Sequence, residues 1–276
     1  MQFIYNTLQV GASEPFTLLH ISDTHLTFAD NRDSLRKTEL AARRAECFPA
    51  AEQDLAQAAA FAKAENMMIV HTGDLLDFVS VANIEKAKDF TRQNDVFLCA
   101  GNHEFSLYVG EAKEDAAYRN QSLAAVQAAF TNDIRFDVRT VNGVKFIAVD
   151  NGYYLFEQAQ LDALRRECAG EEPVILLLHT PLYCPEVYDF VVKTEGGVPA
   201  YLMAVPEQKM AGYSPERFAQ QQADAVTLEA CEFIHSCKNI KGILAGHIHH
   251  DFECTLPNGV PQLITGLSTG RVITVR

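Results

Sequence analysis

Five apolar runs in this sequence each end in residues able to hold a metal ion. Residues 17–22 lead into Asp23-Thr24-His25, residues 67–71 into Gly73-Asp74, and residues 96–100 into Gly101-Asn102-His103-Glu104. Residues 174–178 deliver His179, and residues 240–245 deliver Gly246-His247-Ile248-His249. Carboxylate, amide and imidazole donors without a thiolate make a hard ligand set, suited to Mn, Fe or Zn ions rather than to a cysteine-rich structural zinc site. The donors outnumber what one tetrahedral ion takes. They suit two ions roughly 3.5–4 Å apart that share one carboxylate, an arrangement that activates water and neutralises charge building on phosphorus. The chemistry this points to is hydrolysis of phosphate esters.

Something must bring five distant segments together. Short apolar runs alternating with longer Ala-rich or amphipathic runs predict strands separated by helices in a layered α/β protein. The five runs, with residues 144–149, are apolar enough to be strands buried on both faces. Working residues of such sheets sit just past the carboxyl ends of strands, where all five ligand blocks fall. Residues 49–65, 111–130, 157–168 and 215–237 read as helices, the last capped by Ser214. Residues 26–48 and 183–213 lack periodicity. The second carries four of the nine tyrosines and reads equally as a cap or insert over the site or as a packed loop. The tail, 252–275, predicts antiparallel strands closing a sheet edge. A single domain over residues 1–276 is expected, since a chain of this length with 48% hydrophobic residues can bury one large core.

Composition narrows the partners. A net charge of −13 repels a nucleic-acid backbone, so no long nucleic acid is expected as substrate. Residues 1–30 show no basic leader with an apolar run, and no stretch reaches the roughly 18 apolar residues of a membrane span. Seven cysteines without a CxxC pair fit a reducing compartment, so a cytoplasmic protein without membrane attachment is expected. His20 and His71 lie inside apolar strands and read as hydrogen-bonded core histidines. His250 should point away from the metals because the extended backbone alternates. The segment 150–152 reads as a turn, with a substrate contact as the lesser reading. Arg32, Arg36, Lys37, Arg43 and Arg44 either ring the pocket or lie on the surface as solvated charge.

In chain order the blocks D-x-H, G-D, G-N-H-E, H and G-H-x-H resemble the calcineurin-like metallophosphoesterase superfamily, over Asp23 to His249. The resemblance implies a four-layer α/β/β/α sandwich with mixed sheets and a dinuclear centre at strand carboxyl ends. It places Asp23, His25 and His249 on the first metal, Asn102, His179 and His247 on the second, and Asp74 as the bridge. It makes His103 a general acid facing the leaving oxygen. Asp77 corresponds to the aspartate that supports this histidine in serine/threonine protein phosphatases. Those enzymes follow that aspartate with an arginine, where this chain has Phe78, which argues against a phosphoprotein phosphatase of that branch. The expected function is hydrolysis of a small anionic phosphate ester, mono- or diester and nucleotide-like among the candidates, by a hydroxide held between two metal ions. A nuclease of the same fold and a catalytically silent binding scaffold are the alternatives.

Overall fold

The computed structural model describes residues 1–110, 115–194 and 199–276. Its strands, in chain order, are β1 (Gln2–Leu8), β2 (Phe16–Ile21), β3 (Met68–His71), β4 (Val96–Leu98), β5 (Phe136–Val141), β6 (Val144–Val149), β7 (Val174–Leu177), β8 (Ile240–Ala245), β9 (Phe252–Thr255), β10 (Pro261–Ile264) and β11 (Thr269–Val275). The helices are α1 (Leu35–Cys47), α2 (Ala51–Ala64), α3 (Val81–Gln93), α4 (Ala116–Asn120), α5 (Leu123–Gln127), α6 (Gln158–Glu167), α7 (Pro185–Thr194), α8 (Pro215–Gln221) and α9 (Ala225–Ser236).

Two mixed sheets result, one ordered β1-β11-β2-β3-β4 and the other β5-β6-β7-β8-β10-β9. The two-residue period of a strand decides how they stack. In β2, β3, β6 and β7 both faces are apolar, so each strand has something to bury on either side. Leu18, Val70, Phe146 and Leu177 meet in a common core between the sheets. Their neighbours Leu19 and Ile69 turn to the opposite face under α2 and α3, while Ile147 and Leu176 turn under α6, α7 and α9. The outcome is the four-layer α/β/β/α sandwich, each fully buried Leu or Phe contributing about 1.5–3 kcal/mol.

Several expectations need correction. The predicted helix over 111–130 is two short helices, α4 and α5, parted at Gln121 and Ser122, and residues 111–114 lie outside the described residues. The predicted helix over 215–237 is α8 and α9, because Asp224 caps a new helix by accepting the Thr227 N–H at 2.8 Å. Ser214 does cap α8, accepting from the Arg217 N–H. The tail does not stay on one edge: β9 and β10 pair antiparallel at the rim of the second sheet, but β11 crosses over and inserts between β1 and β2 of the first. Residues 26–48 hold α1, capped by Ser34. That helix was illegible because its charged run leaves only Leu40 and Ala41 buried.

Candidate metal centre

The parallel strands β2, β3 and β4 of one sheet and β7 and β8 of the other end on the same side, and their carboxyl ends supply every ligand block. The loops are stitched to one another by backbone. Asp23 N–H donates to the Gly73 carbonyl at 3.0 Å, His25 N–H to the Asp74 carbonyl at 2.9 Å, and Gly246 N–H to the His179 carbonyl at 3.0 Å. The turns are tight: Asp23, His25, Asp74, His247 and His249 all have φ between +51° and +71°. Asp and His enter this left-handed region more readily than most residues, and such strain gathers at functional sites. Gly101 is required by crowding, since a Cβ there would stand 2.7 Å from the Asp74 nitrogen and 2.8 Å from His179 Cε1.

Glu104 fixes the second and third blocks to each other. Its buried carboxylate accepts N–H bonds from Asp74 at 2.7 Å, Leu75 at 2.6 Å, Leu76 at 3.1 Å and Gly101 at 2.6 Å. Burial, with Asp74 close by, raises its pKa to about 7 against the pull of those donors.

The seven predicted ligands converge. Asp23, His25 and His249 present atoms within 4.8 Å of one another, as do Asp74, His179 and His247. His25 Nε2 lies 3.1 Å from His249 Nε2, and His249 Nε2 lies 3.6 Å from Asp23 Oδ1. On the other side His179 Nε2 is 3.0 Å from His247 Nδ1 and 3.2 Å from Asn102 Oδ1. Asp74 Oδ2 stands between the groups, 3.8 Å from His25 Nε2 and 3.2 Å from His179 Nε2. Two donors each about 2.1 Å from one ion are about 3.0–3.4 Å apart at tetrahedral or octahedral angles. Most of these separations match that spacing, so the donor set fits two cations.

The far nitrogens of the imidazoles fit as well, because a ligating histidine ordinarily donates its other N–H to an acceptor. His25 Nδ1 donates to Asp77 Oδ1 at 2.9 Å, His179 Nδ1 to the Thr72 carbonyl at 2.7 Å, and His247 Nε2 to the Tyr154 hydroxyl at 2.8 Å. Tyr154 is a residue that sequence reasoning missed, for it follows β6, a strand end carrying no ligand. Asn151, from the turn read at 150–152, has a backbone role too: its Oδ1 accepts the His179 N–H at 2.8 Å and the Thr180 N–H at 3.1 Å.

Electrostatics separate the histidines. Burial works against charge on His179, but Asp74 and Asp23 outweigh it and raise its pKa to about 10. His249 is lowered to about 4, chiefly by burial, and His247 well below its ordinary value by burial and by His179. The buried carboxylates thus draw positive charge into the centre, while two imidazoles stay neutral with lone pairs to offer.

His103 lies beside this centre and only partly shielded, its side chain 18% exposed. Its Nδ1 donates to the Asp77 carbonyl at 2.7 Å, with the Asp77 carboxylate at 3.3 Å. Its own backbone N–H holds Asp74 Oδ1 at 2.8 Å. Burial opposes the cationic ring, yet Asp74 and Asp77 raise it to about 9. The Asp77 carboxylate is shared: Arg44 grips it through Nε at 2.7 Å and an NH2 group at 2.8 Å, and His25 takes its Oδ1. Asp77 therefore reaches His103 mainly through its backbone oxygen, and its side chain serves His25 more directly.

His20 and His71 are hydrogen-bonded core histidines. His20 bridges the Thr72 and Thr265 hydroxyls at 2.9 and 2.8 Å, and His71 meets the Thr24 hydroxyl at 2.9 Å. His250 turns away to stand edge-on to Phe190, ring centres 5.7 Å apart.

A pocket of about 420 Å³ opens above the centre. Its floor and wall carry Asp74, Asn102, His103, Tyr154, His247 and His249, and Val191 and Tyr201 also line it. Arg217 and Gln220 of α8, beyond residue 213, line the pocket as well. None of Arg32, Arg36, Lys37, Arg43 or Arg44 does. Arg32 instead pairs with Asp30 and Glu85, and Arg36 lies over the Tyr108 ring.

A mixed α/β/β/α sandwich with a cluster of Asp, Asn and His at facing strand ends defines a class of metal-dependent phosphoesterases. The sequence profile of calcineurin-like phosphoesterases matches residues 16–251, and the chain belongs to this family. Among solved structures it is similar to a dimetal phosphatase from Danio rerio, at 15% identity and a TM-score of 0.51, over 91% of this chain and 88% of that one. A phosphopantetheinyl hydrolase from Mycobacterium tuberculosis matches at 14% identity and a TM-score of 0.44, over 91% and 90% of the two chains. A putative 5'-nucleotidase from Staphylococcus aureus matches at 13% and 0.44, over 92% and 49%. No curated protein sequence matches the chain. Among the described residues no helix is long and apolar enough to cross a membrane.

Proposed function

We propose that the protein is a metal-dependent hydrolase of small phosphate esters, with Asp23, His25 and His249 holding one cation, Asn102, His179 and His247 a second, and Asp74 shared between them. The observation that carries this reading is the position of Asp74 Oδ2, within 3.8 Å of His25 Nε2 and 3.2 Å of His179 Nε2. Two bound cations would supply a water of lowered pKa and neutralise charge on the phosphoryl oxygens.

The chain's own residues supply the rest. A carbonyl can only accept, so the bond from His103 to the Asp77 carbonyl fixes the proton on Nδ1 and leaves Nε2 as the nitrogen able to meet a leaving oxygen. With its pKa raised to about 9, the ring carries a proton at neutral pH, as a general acid requires. Tyr154, Asp77 and the Thr72 carbonyl orient the candidate ligand imidazoles, so the nitrogens that would bind the ions face inward. A pocket of about 420 Å³ suits a small ester better than a polymer.

Purified protein supplied in turn with Mn²⁺, Fe²⁺ or Zn²⁺ should hydrolyse p-nitrophenyl phosphate or bis-p-nitrophenyl phosphate. Single- and double-stranded DNA should be poor substrates. Hydrolysis of DNA in preference to both small esters would support the nuclease reading, and no hydrolysis with any metal would support the scaffold.

A further inference from the structure

The pocket holds a cation that the hydrolytic reading does not use. Arg217 enters the wall from α8, with its guanidinium 5.1 Å from the centre of the Tyr201 ring. Tyr201 in turn stands edge-on to His247, ring centres 6.1 Å apart. The arginine is therefore tied by one aromatic ring to a candidate metal ligand. It is also fixed: Ser214 accepts its backbone N–H at 3.2 Å, and an NH1 group donates to Gln220 Oε1. Tyr201 is held on a loop whose neighbour Ala200 donates its N–H to the Tyr213 hydroxyl at 2.8 Å.

Unlike several other arginines, Arg217 has no acid beside it among the described residues. In a chain of net charge −13, Arg32, Arg44, Arg135 and Arg271 each pair with carboxylates at 2.6–2.7 Å. Among the described residues no carboxylate lies within ion-pair distance of Arg217. Among the described lining residues Asp74 is the only carboxylate, and it sits at the floor with the candidate ligands. A guanidinium offers five donors in a planar fork that matches carboxylate and phosphoryl oxygens. Here Gln220 and the Tyr201 face occupy part of that capacity, leaving donors to face the pocket.

We propose that Arg217, backed by Tyr201 and Gln220, is a subsite for a second anionic group of the substrate. The preferred ester would then carry a carboxylate or a further phosphoryl group away from the phosphate that is cut. This deepens the hydrolase reading and rests on it for the word substrate. The subsite itself is judged by binding.

The test is calorimetric titration of the Mn²⁺-loaded protein with methylphosphonate, 3-phosphonopropionate and propane-1,3-bisphosphonate. One or both two-anion probes should bind about tenfold or more tightly than methylphosphonate, the size of one good charge-assisted contact. A gain confined to 3-phosphonopropionate identifies the partner as a carboxylate, and one confined to the bisphosphonate identifies a phosphoryl group. Arg217→Gln should erase the gain and leave methylphosphonate binding unchanged. Arg217→Lys should keep part of it, and a melting curve on each variant checks that it is folded. Equal affinity of all three probes in the wild type, or an equal loss on all three in Arg217→Gln, overturns the subsite. Failure to hydrolyse any ester would overturn the hydrolase reading separately, leaving the binding comparison to stand or fall alone.

Discussion

At the residue scale the candidate roles divide by what each side chain touches. His103 stands beside the seven candidate ligands and is not one of them, so His103→Ala should keep both cations while turnover falls by about 10²–10⁴, the usual share of a general acid. Metal content by elemental analysis together with kcat would decide it, and unchanged kcat refutes the assignment. Asp74 joins both groups, so Asp74→Ala should bind fewer than two metal ions per chain, measured the same way. Tyr154→Phe removes the acceptor 2.8 Å from His247 Nε2. Losses of this kind typically weaken metal binding by about 10- to 100-fold. A metal titration showing wild-type affinity in this variant would leave Tyr154 with a packing role alone. These candidate ligands were legible in the sequence because each follows an apolar run closely. Tyr154 and Arg217 were not, since a tyrosine or arginine in a loop has no signature until its neighbour is known.

At the element scale the positions of the loops depend on buried polar links that cross between segments. Glu104 ties the turn after β3 to the turn after β4 through four N–H bonds. Arg271 does comparable work between the sheets. From β11 it reaches Asn6 of β1 at 2.5 Å, and in the other sheet Glu253 of β9 at 2.6 Å and the Ile264 carbonyl of β10 at 2.9 Å, with Thr265 beyond at 3.3 Å. Its side chain is 1% exposed. Arg271→Leu would leave the Ile264 carbonyl and Thr265 hydroxyl short of a donor, costing about 1–3 kcal/mol for each group left without one. Denaturant unfolding should show that loss while kcat of the folded fraction is kept. The strands β2, β6, β7 and β8 were readable to within a residue or so because burial on both faces leaves them continuously apolar. The sheet that takes β11 was not readable, because an alternating tail fits an edge and an interior slot equally well.

At the scale of the whole molecule, cations held by the clustered donors would link metal binding to folding. Ions that bind only the folded chain stabilise it by about 2.7 kcal/mol at a hundred times the dissociation constant. For a chain of this size that is a rise of roughly 5 °C in melting temperature. Calorimetry in EDTA against saturating Mn²⁺ should show the shift, and Asp74→Ala should shrink it. A wild-type melting curve indifferent to metal would contradict the coupling.

The sequence by itself determined the layered α/β class, the strand cores and the ligand blocks, since each is a local property of residue type and spacing. Tertiary structure decided which sheet each strand joined, which loop and helix residues line the pocket and what stood behind each imidazole. Those features depend on contacts between residues as much as 265 positions apart or more, as between Asn6 and Arg271, and no local pattern encodes such a distance.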